Sequence, residues 1–249
     1  MKTLKHWQLH SENPDGVTLL CDERHLLHII VLEDYLWRVW LMQDGASRLD
    51  RTWLISPDTA PCPMEGRERA SRAGFTCPSV TIRQDDDRLT LTGSTLRLIV
   101  HRPLWLEWQE KHGDDWRTIA SDRPTGAYQL GHSRPGIAHY MKLGAGDRYY
   151  GLGEKAGTVD RYGKRYQMKS LDAMGYNAET TDPLYKHWPY YQVVNSEGAH
   201  FGLYYDNLNT STFDMGNELD NYHPRYRSYR SQDGDLDYYL IHSTSILDN

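Results

Sequence analysis

LTLTGSTLRLIV, residues 89–100, reads as a β-hairpin: Leu89-Thr-Leu-Thr92 and Leu96-Arg-Leu-Ile-Val100 flank a Gly93-Ser94 turn. Alternating apolar residues on both sides of a short glycine-containing turn put one face of each strand in a core and the other toward water. The pattern repeats immediately downstream. Leu104 to Trp108 and Trp116 to Ile119 flank Gly113-Asp114-Asp115 and predict a second hairpin. Upstream, Leu36 to Met42 (LWRVWLM) is rich in aromatic and branched residues and is bounded by Asp34 and by Asp44-Gly45. In the second half, His139 to Leu143, Tyr190 to Val194, His200 to Tyr205 and Leu236 to Ile241 read as further strands. Turn signals spaced by roughly ten residues belong to a β-sandwich or barrel. No long window carries the i, i+3, i+4, i+7 apolar pattern of a helix, and Pro57 to Gly74, rich in Pro, Arg and Glu, predicts an irregular loop. With no repeat, low-complexity tract or linker, residues 1–249 are expected to form a single all-β domain with little helix.

Composition narrows the function. The chain has 249 residues and a net charge of −6, which disfavours nucleic acid, since that partner demands a basic footprint. Two local basic groups, Arg67, Arg69 and Arg72, and Arg225, Arg227 and Arg230, are short and read as solvated faces. The apolar run Leu26 to Leu32 is too short for a membrane span, and the N-terminus has no apolar signal core. Cys21, Cys62 and Cys77 show no metal-ligand spacing and leave one cysteine unpaired, which fits a reducing compartment and a cytoplasmic protein. Eighteen Tyr and eight Trp against three Phe suit wet interfaces and carbohydrate surfaces, and equally solvent-edge strands.

The densest chemistry lies between Tyr149 and Gly216. Gly151, Gly153 and Gly157 in YYGLGEKAG fit no phosphate-loop spacing and read as turn glycines. Glu154, Lys155, Asp160, Arg161 and Arg165 read as a partly buried ion-pair network. Asp182, ahead of Pro183, is either a turn initiator or a carboxylate able to accept hydrogen bonds from two neighbouring sugar hydroxyls. Tyr185 or Trp188 has a ring to lay against a sugar's C–H edge, although Trp188 is read first as a core residue leading into the next strand. The scattered histidines show no metal pattern, and no Ser/His/Asp or Cys/His arrangement stands out, so no catalytic residue, metal or cofactor is assigned.

The blocks YYGLGEKAG, DRYGKRYQM, DAMGYNAETTDPLYKHWPYY, FGLYYDN, FDMG and GDLDYYL, in this order, resemble the N-terminal region of glycoside hydrolase family 31, the α-glucosidase and α-xylosidase group. The resemblance implies a galactose-mutarotase-like β-sandwich (a supersandwich) that precedes a catalytic (β/α)8 barrel. It implies that Asp182, with Tyr185 beside it, contributes to the sugar site, the intact enzyme acting on α-linked oligosaccharides or glycosides. The nucleophile and acid/base of that family lie on the barrel, the nucleophile in a WxDM-type segment; Phe213 to Gly216 (FDMG) belongs to the sandwich instead. A barrel of roughly 250 residues does not fit in this chain beside the sandwich. The isolated sandwich is therefore expected to be inactive and to self-associate through the face that a barrel covers. Two alternatives stand beside this reading, a stand-alone carbohydrate-binding module and an aldose-mutarotase-like isomerase.

Overall fold

The computed structural model describes residues 1–57 and 62–249. The expected hairpin forms from Arg88–Thr92 and Leu96–His101, with Leu91 opposite Leu98 and Leu89 opposite Val100. The Gly93 amide closes the turn on the Leu96 carbonyl. This hairpin is the middle of a five-stranded antiparallel sheet in the spatial order Asp115–Ser121, Trp105–His112, Leu96–His101, Arg88–Thr92, Thr81–Gln84.

An eight-stranded sheet faces it. Its order is Arg148–Gly151, Tyr190–Val194, His200–Tyr205, Leu236–Ile241, Leu36–Met42, His25–Glu33, Gly16–Cys21, Trp7–Asn13. A six-stranded sheet runs Lys2–Thr3, Tyr128–Leu130, Ile137–Lys142, Tyr226–Ser231, Ser211–Asp214, Arg165–Met168. A bridge between Asp122 and Met141 links the five- and six-stranded sheets. The two together form one layer, and the eight-stranded sheet is the other. Alternate residues of all three sheets meet in one continuous core. Trp37 meets Trp108 edge-on at 6.0 Å across one half, and Tyr205 stacks on Tyr229 at 4.1 Å across the other. The architecture is the expected β-sandwich, and among the described residues the only helical element is the 3-10 turn Gln43–Gly45.

The outer face of the eight-stranded sheet is also covered. Ile30, Leu32 and Tyr239 pack there against Ile55 and Phe75. The strand His25–Glu33 thus carries apolar residues on both faces, which explains the Leu26 to Leu32 run, interrupted only by His28. Between the covering residues Ile55 and Phe75, the described part of Pro57 to Gly74 is irregular as expected, with one exception. Arg67–Glu68 forms a short strand paired with Arg51–Thr52, while residues 58–61 of that stretch lie outside the described residues.

Two arginines read as solvated are buried. Arg69 donates to Asp206 Oδ2 at 2.9 Å and to Asp237 Oδ2 at 2.6 Å, and Asp237 also receives Arg38 at 2.7 and 2.8 Å. Arg227 sits inside the sandwich, donating to the Lys142 carbonyl at 2.7 Å and to the Tyr191 hydroxyl at 3.2 Å. Sequence neighbourhood misleads here because the partners are more than a hundred residues away in Arg69–Asp206 and Arg69–Asp237. Arg225 is exposed as expected.

The abundant tyrosines are largely core residues. Tyr128 and Tyr238 join hydroxyls at 3.0 Å and sandwich the buried His139 ring at 4.9 and 4.7 Å. His139 Nε2 lies 2.8 Å from Asp122 Oδ1 and Nδ1 lies 2.9 Å from the Tyr205 hydroxyl. Burial raises the phenols of Tyr128, Tyr205, Tyr238 and Tyr239 well above the ordinary 10.0. Because the folded-state values exceed the unfolded one, their stabilising contribution is complete below about pH 10 and is lost as pH rises beyond it. The urea midpoint is therefore expected to hold to about pH 9 and fall steeply above about pH 10. Beyond the share carried by the exposed tyrosines, phenolate absorbance should appear only together with unfolding; full ionisation of all eighteen tyrosines in a chain whose circular dichroism stays native would contradict the buried placement.

Candidate functional site

Between the strands Arg165–Met168 and Tyr190–Val194 the chain leaves the sandwich for an excursion over residues 169–189 with no regular strand. Its sequence, KSLDAMGYNAETTDPLYKHWP, is suited to turns rather than to a ladder. Asn177 Oδ1 accepts from the Glu179 amide at 2.8 Å, and Thr181 Oγ1 from the Asn177 amide at 2.9 Å. Leu184 and Ala173 are buried, giving the loop an apolar floor.

The base of the loop is fixed by a buried ammonium. Lys155 Nζ donates to the Gln167 carbonyl at 2.5 Å and to Asp182 Oδ1 at 3.1 Å, and Asp182 Oδ2 accepts the Gln167 amide at 2.6 Å. Desolvation lowers the Lys155 pKa, and the Asp182 charge opposes that shift. Gly153 supports the far limb. Its φ is +73°, and a Cβ there would meet the Lys186 carbonyl oxygen at 2.6 Å, so only glycine lets the turn pass beneath the loop. His187 closes the arrangement: the Lys169 amide donates to Nδ1 at 2.7 Å, and Nε2 donates to the Leu184 carbonyl at 2.6 Å.

Asp182 and Tyr185 come to the same loop but play different parts. The Asp182 side chain is only 22% exposed and faces Lys155 at the base. Tyr185 is 50% exposed, and its hydroxyl donates to Asp172 Oδ1 at 2.5 Å. That bond raises the Tyr185 pKa. The Tyr176 ring meets Tyr185 edge-on at 6.0 Å. A cavity of 240 Å³ opens beside Tyr185, His187 and Asn209. Asp172, an exposed carboxylate held by a tyrosine, escaped the sequence reading. Its signal was present in DAMGYNAETTDPLYK, which holds two aspartates, only one of them marked by a following proline.

Two expectations are corrected. Trp188 is 65% exposed rather than core, because Pro189 separates it from the strand whose inward residues are Tyr191 and Val193. Glu154 is exposed, and among the described residues no ion pair includes it. The pairs around it run Arg148–Asp160, Lys155–Asp182 and Arg165 with Asp214 and Glu218. Among the described residues no group of three or more His, Cys, Asp or Glu is arranged to hold a metal ion.

Comparison with known proteins agrees with the architecture. Residues 26–214 match the glycosyl hydrolase 31 N-terminal galactose mutarotase-like domain, and the chain belongs to that family. It is 26% identical over 163 residues to alpha-glucosidase 2 of Bacillus thermoamyloliquefaciens, covering 65% of this chain and 19% of that protein. It superposes with a TM-score of 0.78 on a family 31 dextranase of Flavobacterium johnsoniae solved with isomaltotriose, at 20% identity, over 98% of this chain and 27% of the other. The α-1,4-glucan lyase of Gracilariopsis lemaneiformis superposes with a TM-score of 0.71 at 15% identity, over 98% of this chain and 28% of that one. The chain thus spans about a fifth to just over a quarter of the length of these relatives.

The anchor is open to a direct test. Asp182→Ala leaves the Lys155 ammonium buried without its carboxylate, a loss of about 2–4 kcal/mol once the partial exposure of Asp182 is allowed for. Lys155→Met combined with Asp182→Asn should recover much of it. Strictly additive single and double mutants in urea unfolding would show that the two groups are uncoupled.

Proposed function

We propose that this chain is a single N-terminal β-sandwich domain of an α-glucosidase-type family 31 enzyme, bracing a catalytic barrel and lending the 169–189 loop to its sugar pocket. The carrying observation is the contrast within that loop: a base pinned by Lys155 and Asp182, and a surface presenting Tyr185 and the Asp172 carboxylate. A carboxylate accepting from two neighbouring hydroxyls beside an aromatic ring is a common chemistry for gripping a pyranose. Asp182 contributes by contact from the loop base, and Tyr185 and Asp172 from its exposed surface.

Hydrolysis with retention requires two carboxyl groups roughly 5–5.5 Å apart across the scissile bond, one as nucleophile and one as acid/base. In our reading both belong to the barrel, and the sandwich adds orientation and part of the pocket wall. Exposed Trp53, Leu54, Trp188 and Leu208 supply apolar area for the barrel to cover, and a route to self-association when it is absent. The three free cysteines support a reducing, cytoplasmic setting. No helix among the described residues is long and apolar enough to cross a membrane.

The 249-residue chain is expected to release no 4-nitrophenol from 4-nitrophenyl α-glucoside, and robust release would overturn the proposal. In the barrel-containing enzyme, Asp172→Ala should lower kcat/KM about 10- to 100-fold, one charge-assisted hydrogen bond's worth. Tyr185→Phe should produce a smaller fall, with the thermal midpoint unchanged in both. Unaltered kinetics in both variants would remove the loop from the pocket.

A further inference from the structure

We infer a second ligand site, for a neutral polyhydroxyl ring, at the end of the eight-stranded sheet remote from the 169–189 loop and independent of that loop's role. A cavity of 670 Å³ opens there between Tyr35, Lys111, His200 and His242. In the sheet register Tyr190 pairs with Tyr204 and Val194 with His200. The cavity therefore lies about 14 Å along the strands from the loop's exit at Tyr190, at about 3.4 Å per residue.

Its floor is built on Glu110, a buried carboxylate. Glu110 Oε1 accepts Arg117 Nε at 2.7 Å, and Oε2 lies 3.1 Å from His242 Nε2. His242 Nδ1 donates to the His200 carbonyl at 2.8 Å, so Glu110 fixes the histidine ring and His242 in turn fixes the strand end. Both carboxylate oxygens are engaged by cationic or cation-forming partners. Glu110 is thus a brace and is poorly placed to take a proton from a bound sugar, which sets this pair apart from the acid–base couple an aldose isomerase needs.

Hydrogen-bonding capacity is left among the lining residues. His200 Nε2 is buried and has no hydrogen-bond partner in the protein. Once the His200 ring turns toward the cavity, a ligand hydroxyl satisfies that nitrogen in either tautomer, because it both donates and accepts. The Tyr35 ring is half-exposed at the rim and offers an apolar face with a polar tip. Lys111 and Asp34 add a donor and an acceptor of opposite charge, and Asp34 is steadied by the Ser94 hydroxyl at 2.5 Å. With Glu110 countered by Arg117 and His242, the lining favours neither an anion nor a cation. Hydroxyl-rich neutral ligands fit that balance.

Titrating the 249-residue chain with methyl α-D-glucopyranoside, followed by the imidazole C–H resonances, tests the site. The expected result is a saturable shift of the His200 and His242 signals with Kd of about 1 mM. Tyr35→Ala and His200→Ala should each weaken it about fivefold, a neutral hydrogen bond's worth, while Tyr185→Ala leaves it unchanged. Tyr35 is on an exposed turn, so its variant carries the test if His200→Ala fails to fold. The absence of a saturable shift overturns the inference. So does binding that survives Tyr35→Ala but is lost in Tyr185→Ala, which would locate the sugar on the loop.

Discussion

The loop architecture depends on one ammonium group. Lys155 is carried out of water by the turn that follows Gly153, and a buried cation is tolerable only when its protons are received and its charge is countered. The Gln167 carbonyl and Asp182 supply these two conditions, one from the sandwich and one from the loop. The loop is thereby tied to the body at its middle as well as at its ends. Asp182 also takes the Gln167 amide, so losing the carboxylate would leave a backbone donor unmet beside the cation. A segment with no ladder of its own gains a defined shape this way, which is what a binding loop requires of its scaffold.

The scaffold obeys the same constraint on a larger scale. Where the central strands of the eight-stranded sheet are covered on both faces, their polar residues have no solvent, so each buried charge must find a partner inside. Asp237 holds Arg38 and Arg69 together on the outer face, and Arg69 reaches on to Asp206. The covering segment is therefore attached to the sheet by ion pairs as well as by Phe75 and Ile55. In the sandwich interior, His139 donates from Nε2 to Asp122 and pairs through Nδ1 with the Tyr205 hydroxyl, joining the two layers through hydrogen bonds. Such groups add specificity of registration more than net stability, since their desolvation offsets much of their attraction.

The legible part of the sequence is the part governed by local periodicity. Leu36 to Met42, Tyr190 to Val194, His200 to Tyr205 and Leu236 to Ile241 are strands with the expected bounds, because their apolar and aromatic residues are dense. Tyr226–Ser231 escapes a local reading because YRSYRS shows polar residues where the core lies; Arg227 is held inside by Tyr191 and the Lys142 carbonyl, distant partners that no local window contains. The same limit applies to the site. Asp182 was marked by the proline after it, whereas Asp172 acquires its meaning only when the loop folds back and brings Tyr185 to it. Trp188 reads as core because a strand follows it, yet Pro189 turns it outward, and an exposed tryptophan on this loop is itself informative.

If the loop serves a sugar pocket as proposed, the sandwich supplies only part of what recognition requires. The Asp172 carboxylate stands in water, where a charged contact is worth about 0–1 kcal/mol, against about 1.5–3 kcal/mol for a desolvated charge-assisted hydrogen bond. The difference comes from excluding solvent, and the 240 Å³ recess beside Tyr185 does not include Asp172 in its lining. A second wall is needed, and the apolar surface of Trp188, Leu208 and Leu54 next to it suits packing against one. Assembly with that wall would cover these side chains and dry the carboxylate together. The rigid anchoring by Lys155 then matters most, because a dehydrated hydrogen bond is strong only if its geometry is held in advance.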